Sequence, residues 1–145
     1  MGQRVSNYDP DRVSFIFAGV PVEGFADGTF ISVEQNEDAF VLAIGSDGEA
    51  CRAKSNNRSA KITLTLLQTS RSNQLLTAFY QTDIISPSGD GIAPLLIKDN
   101  SGTSLHLAEK AWITKIPAAT YAREAENREW VFETNELINN VGGAF

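Results

Sequence analysis

Two side chains are the natural first suspects for chemistry: His106 in "TSLHLAE" and Cys51 in "EACRAK", the single histidine and the single cysteine of the chain. An imidazole works as a general base when a nucleophile lies within reach and a carboxylate orients it. A thiol gains nucleophilicity beside a cation or a histidine. Arg52 follows Cys51 directly, but no histidine is near it in sequence, and no G-x-S-x-G nucleophile motif occurs. His106 therefore reads as a strand histidine at a surface or interface, and Cys51 as a bystander loop thiol.

Metal chemistry fares no better. "SDGE" (46–49), "SGDG" (88–91) and "DNSG" (99–102) each resemble a fragment of a calcium loop, but none has the ligand spacing of an EF-hand. Asp-Gly and Asn-Ser-Gly are also what tight turns use, because their side chains bond the local backbone and glycine accepts φ > 0. One cysteine and one histidine give no zinc set and no internal disulfide. "NRS" (57–59) fits an N-glycosylation acceptor, which means nothing without a secretory signal, and "MGQRVSNYDPDR" has no apolar signal-peptide centre. The sequence points to no catalytic residue, cofactor or metal, and to a cytoplasmic origin.

The elements that would position any site are mostly strands. "VSFIFAGVPV" (13–22), "TFISVEQ" (29–35), "AFVLAIG" (39–45), "KITLTLLQ" (61–68), "IAPLLIKD" (92–99) and "TSLHLAEKAWITKI" (103–116) are short β-branched or alternating runs between turn residues. Pro94 confines its strand to an edge or a bulge. In 61–68, Ile62, Leu64 and Leu66 share one face, with Lys61, Thr63 and Thr65 on the other. One helix is expected over about 70–81, capped by Ser70, with Leu75, Leu76, Phe79 and Tyr80 on its buried face. Residues 118–137 read as a hairpin with "AENR" at its tip and with Trp130 and Phe132 on one strand face. The polar stretch 46–60 reads as an extended loop, and the Gly- and Asn-rich tail 138–145 as flexible until it meets a neighbour. The expectation is one domain, 1–145, mostly β: an antiparallel sandwich or barrel of seven or eight strands with one flanking helix.

The order of the charges is the unusual feature of a chain whose net charge is −6. From Val13 through Cys51 there is no Lys or Arg but seven acids; from Arg52 through Thr82 there are five bases and no acid. Such charges could simply solvate a surface and pair within one chain. Their segregation suggests head-to-tail self-association instead, with Arg52, Lys54, Arg58 and Lys61 of one copy reaching Glu34, Glu37, Asp38, Asp47 and Glu49 of the next. Heterologous contacts of that kind generate rings or filaments. Exposed ion pairs contribute only about 0–1 kcal/mol each, so they would set register while apolar burial supplies cohesion.

Over residues 13–135 the chain resembles the tail-tube, or inner-tube, proteins of contractile-tailed bacteriophages, which are related in fold to the tube proteins of type VI secretion. The resemblance rests on "KITLTLLQTSRSNQLL" with the pair Phe79-Tyr80, on "KIPAATYA" and "EWVFET", and on the layout of "ISVEQNED" and "IGSDGEA". Arg71 stands where the family often has a proline after the capping serine. Pro117-Ala118-Ala119 replaces a Pro-Asp pair. Neither departure touches a functional residue, because the family has no catalytic ones.

The resemblance implies a structural virion protein forming sixfold rings that stack into a hollow tube conducting DNA during ejection. Its partners would be itself, tail sheath, baseplate and tail terminator, with DNA only as cargo and no membrane. It would assemble in the host cytoplasm. The strand of 61–68 would contribute to the sheet lining the tube, and loop 46–60 would reach the next ring. The acidic balance suits a lumen that phosphate slides past, since sequence-independent DNA binding needs Lys and Arg. Two other readings remain open from the residues: a tube protein of a tail-like secretion or injection particle, and a small β-sandwich module binding carbohydrate or calcium. A hydrolytic enzyme would need a cleft gathering His106 with acids.

Overall fold

The chain enters its first strand through a single 3₁₀ turn, Pro10–Arg12, whose preceding Asp9 accepts a hydrogen bond from the Asp11 N–H at 3.0 Å. A computed structural model describes residues 5–143. In chain order the elements are β1 (Val13–Phe17), β2 (Val20–Pro21), β3 (Ile31–Gln35), β4 (Phe40–Ile44), β5 (Ala50–Lys54), β6 (Ala60–Leu67), α1 (Ser72–Ile85), β7 (Ala93–Asp99), β8 (Leu105–Lys115), β9 (Asn127–Thr134) and β10 (Ile138–Asn140). The protein is mostly β with one helix, as its sequence predicts. Eight strands form one antiparallel sheet in the order β2-β1-β7-β8-β9-β6-β3, with β10 added beside β8. β4 and β5 pair only with each other.

The alternation in β6 decides which face of the sheet is buried. Ala60, Ile62, Leu64 and Leu66 are fully enclosed, while Lys61 and Leu67 are exposed and Thr63 and Thr65 half-buried. Register carries this face across to β9, where Ile62 opposes Phe132 and Leu64 opposes Trp130. The sheet then folds over itself: Phe15 and Phe17 of β1 meet Phe132 at ring-centroid separations of 5.4 and 5.2 Å. After β2 the chain crosses to the far edge, where the Leu67 N–H donates to Gly24 O at 2.9 Å and the Ala26 N–H to Thr65 O at 3.1 Å. Apolar burial of this extent, at roughly 25 cal/mol per Å², is the main force holding the fold.

Helix α1 covers one opening of the folded sheet. Leu76 is buried, Leu75, Phe79 and Tyr80 are half-buried, and Phe79 meets Phe17 edge-on at 5.3 Å. The helix starts two residues later than expected and runs four residues further, to Ile85; Arg71 stands before it with helical dihedrals and makes no side-chain cap. Ser70 still serves the start: its hydroxyl accepts from the Ser72 N–H at 3.2 Å and donates to Glu23 O at 2.6 Å. Ser72 Oγ in turn accepts from the Glu23 N–H at 2.9 Å. Asn73 completes the joint, donating to Leu67 O at 2.9 Å and accepting from Trp130 Nε1 at 2.9 Å. The strand-to-helix unit thus clamps the crossing chain between β2 and β3.

Three expectations are corrected. The stretch 46–60 is no extended loop, since Ala50–Lys54 is strand β5 and Ala60 opens β6. In the tail 138–145, Ile138–Asn140 pairs with Leu105–Leu107 of β8; residues 144 and 145 lie outside the described residues. "AENR" is no hairpin tip, because 116–126 is a loop and Asn127 already belongs to β9. That loop is tied locally by Arg128, which donates to Thr120 O at 3.1 Å, and by Gln68, which accepts from the Glu126 N–H at 3.0 Å. The expectation for Pro94 holds in its second form: β7 lies inside the sheet, and Pro94 sits at a register shift between Ala93 and Leu95. A bulge there removes the need for the N–H that proline lacks.

Candidate self-association arm

Strands β4 and β5 form an arm that touches the body only at its root. There the Ser55 N–H donates to Ala39 O at 2.8 Å and Ser55 Oγ to Glu37 at 2.9 Å. One step further in, Asn36 donates to Ser59 O through its backbone at 3.1 Å and to Ser59 Oγ through its side chain at 2.9 Å. The tip is a tight turn: the Gly45 N–H bonds Glu49 O at 2.8 Å, and Asp47 accepts from the Glu49 N–H at 3.1 Å. Gly48 takes φ +86°, which explains the Asp-Gly pair there.

Residues directly opposite in an antiparallel pair share a face. Phe40 opposes Lys54, Leu42 opposes Arg52, and Ile44 opposes Ala50, so one face carries three large apolar side chains beside two cations. The Arg52 guanidinium lies over the Phe40 ring, 4.1 Å from its centroid. The other face is small and uncharged: Val41, Ala43, Cys51 and Ala53. Every residue of both strands is exposed, with Leu42 and Ile44 each at 65%. A lone two-stranded hairpin is marginal in water, and a contiguous exposed apolar patch marks an interaction surface.

The charged residues singled out in the sequence scatter around this arm. Arg52 and Lys54 lie on its stem, Asp47 and Glu49 at its tip, and Glu37 and Asp38 at its root. Arg58, just past the root, pairs with Glu136 at 3.3 Å within the same chain. Glu34 on β3 stands directly opposite Lys61 on β6, so these two are neighbours inside one subunit. Segregation along the sequence is therefore not segregation in space. What sequence reasoning missed is the exposed apolar row; "AFVLAI" is apolar at every position, a pattern that asks for cover on both faces.

A second surface is the outer face of β3, β6 and β9. Register sets Glu34, Lys61, Glu133 and Trp112 in one row across the strands, with Thr63 beside Val131 and Thr65 beside Glu129 in the next. Cys51 sits exposed on the arm, far along the chain from His106, which lies on β8 between Ile97 and Asn139. Among the described residues no group of three or more His, Cys, Asp or Glu converges on a metal-sized space. The three acidic turns use their carboxylates locally: Asp90 accepts from Ser86 Oγ at 2.7 Å and Asp99 from the Ser101 N–H at 3.0 Å.

The family model described as "Bacteriophage PhiTE tail tube protein" matches residues 14–142. The chain belongs to this phage tail-tube family. The family is structural, not enzymatic, and a tail protein of this kind is a component of the virion. A curated relative, "Structural protein ORF10" of Pseudomonas phage KPP10, is 34% identical over 149 residues, covering 99% of this chain and 86% of the relative. The tail-tube chain also shares its fold with solved parts of contractile injection systems. The sheath/tube terminator of an extracellular contractile injection system superposes with a TM-score of 0.64 at 11% identity, covering 94% of this chain and 99% of that one. The tube-terminating cap of the anti-feeding prophage gives 0.62 at 9% identity, covering 97% and 95%. The sheath-tube complex of the injection system gives 0.62 at 12%, covering 92% and 91%.

Proposed function

We propose that this protein is the repeating subunit of the tail tube. Copies close into sixfold rings, rings stack into a hollow tube, and DNA passes through it during ejection. The arm carries this reading, because it exposes apolar surface on both faces and none of the described residues of its own subunit covers it. Arg52, Lys54, Asp47 and Glu49 on the arm, with Glu37, Asp38 and Arg58 at its root, fix the register of the contact between copies, and Glu34 and Lys61 lie on the surface beside it. In a tube of this kind the outer face of β3, β6 and β9 suits the lumen. Glu34, Glu129 and Glu133 outnumber Lys61 there, so the wall repels phosphate instead of holding it.

Tail sheath, baseplate and tail terminator are the partners of such a subunit, and the host cytoplasm is where it assembles. The injection-system neighbours favour one second reading, in which the same subunit builds the tube of a tail-like particle. Negative-stain electron microscopy across a protein concentration series, beside mass by light scattering, tests the assembly. Hollow rings or tubes of uniform bore are expected. Solid aggregates or closed dimers would overturn it. DNA recovered inside particles purified from cells selects the phage tail, and its absence the injection particle.

A further inference from the structure

The arm needs a socket, and the surface holds one whose chemistry matches it. On the core side of the sheet, beyond the last enclosed layer, β3 stands away from β1 and β7. The cleft between them has a volume of about 430 Å³ and is walled by Val13, Ile31, Val33 and Ile97, with Asp99 on its rim. A second hollow of about 410 Å³ adjoins it, sharing Tyr8, Gly28 and Phe30, and adds Asp11 and Asp27. Among the described residues, neither hollow is lined by a lysine or arginine. The combined site is an apolar trough with three carboxylates and, among the described residues, no opposing lysine or arginine.

His106 supplies an independent sign that something belongs there. Its ring forms part of the wall, and Nδ1 is buried without any hydrogen-bond partner. Buried polar atoms in folded proteins are nearly always paired; this one is enclosed within the wall, so its bond to an occupant requires the wall to shift as the trough fills. His106 falls in the inward-facing row that runs through Phe15, Ile97 and Asn139, so its position is set by three strands at once.

We propose that this trough receives the apolar, cationic face of the β4–β5 arm from a second copy of the chain. Phe40, Leu42 and Ile44 fill the trough; Arg52 and Lys54 face the carboxylates of Asp11, Asp27 and Asp99; and a polar group of the arm pairs with His106 Nδ1. The arm does not fill the trough of its own subunit, where it stays exposed along its whole length. Because trough and arm are different patches of one chain, each copy can offer its arm to the next, and such a contact propagates from copy to copy. The inference rests on the arm being the connector between copies, as proposed above.

Charge reversal and its rescue form the test, on the full chain, with self-association read by analytical sedimentation. Arg52→Glu with Lys54→Glu reverses the arm, and Asp11→Lys with Asp27→Lys reverses the rim. All four positions are exposed, so thermal melting should hold for both variants. Each reversal alone should weaken association about ten- to thirtyfold, and the quadruple variant should recover to within about threefold of the native chain. The chain's one histidine gives one pair of imidazole C–H NMR signals, which should move as the native chain associates and stay fixed in the arm variant. If the arm reversal weakens association but the rim reversal does not, the socket is elsewhere and this proposal falls while the arm stands. If neither matters, or the native chain shows no association at millimolar concentration, both fall.

Discussion

Asn73 joins three parts of the molecule, and removing it gives a quantitative test of how α1 is anchored. Its Oδ1 accepts from the buried Trp130 Nε1 at 2.9 Å, and its amide donates to Leu67 O at 2.9 Å and Ser70 O at 3.2 Å. Asn73→Ala leaves the indole N–H buried and unpaired, which costs about 1–3 kcal/mol. The two carbonyls keep backbone donors from Ser70 and Asn73, so their share is small, about 0.5 kcal/mol each. The expected loss is about 2–4 kcal/mol, or roughly 4–16 °C in melting temperature for a chain of this size. Trp130→Phe removes the donor instead, and the double variant should fall short of additivity by about 1–2 kcal/mol. Urea unfolding followed by far-UV circular dichroism reads all three without relying on the altered tryptophan. Additive losses within about 0.3 kcal/mol would show that the Asn73–Trp130 bond couples nothing, and the account of the strand-to-helix joint would be wrong.

Leu64→Ala empties a fully enclosed position in β6 and should cost about 2–5 kcal/mol by urea titration, more than any exposed substitution on the same strand. Gly24 has φ +79°, and a Cβ there would stand 2.6 Å from Ser70 Oγ, so Gly24→Ala should lower global stability by about 2–4 kcal/mol. Gly48→Ala at φ +86° meets no atom within 4 Å; it should speed amide exchange in the arm and leave the melting temperature of the body unchanged. The Arg58–Glu136 pair is more than half exposed on both sides, so Glu136→Gln should cost under about 1 kcal/mol, and that cost should vanish in 1 M salt.

What the sequence shows clearly is what the subunit buries by itself. Ile62, Leu64 and Leu66 alternate because one face of β6 meets the core, and the helix face of Leu75, Leu76, Phe79 and Tyr80 is legible for the same reason. "ACRAK" alternates small and charged residues with no apolar period, because neither face of β5 is buried within the subunit, so it reads as loop. Ile138–Asn140 is held by backbone pairing to β8, which side-chain pattern does not report. The loop 116–126 resembles a hairpin in composition, but its bonds run to Arg128 and Gln68. The socket could not be read at all, since Asp11, Asp27, Asp99 and His106 come together only through the folding-over of the sheet.

The position of β9 leaves β6 without one neighbour until late in synthesis. β9 lies between β8 and β6 in the finished sheet, yet Ala60 of β6 must wait for Thr134 before its row is complete. At roughly 5–20 residues per second, the 67 residues from Leu67 to Thr134 take about 3–13 s to synthesise. Throughout that interval the inner edge of β6 is open, and an open strand edge invites the wrong partner, including the same edge of a chain on a neighbouring ribosome. Lys61 places a charge on that edge, the kind of residue that blunts edge pairing, until Glu133 arrives opposite it. The open edge of β6 thus outlasts the synthesis of β7 and β8, and the sheet closes only when β9 is made.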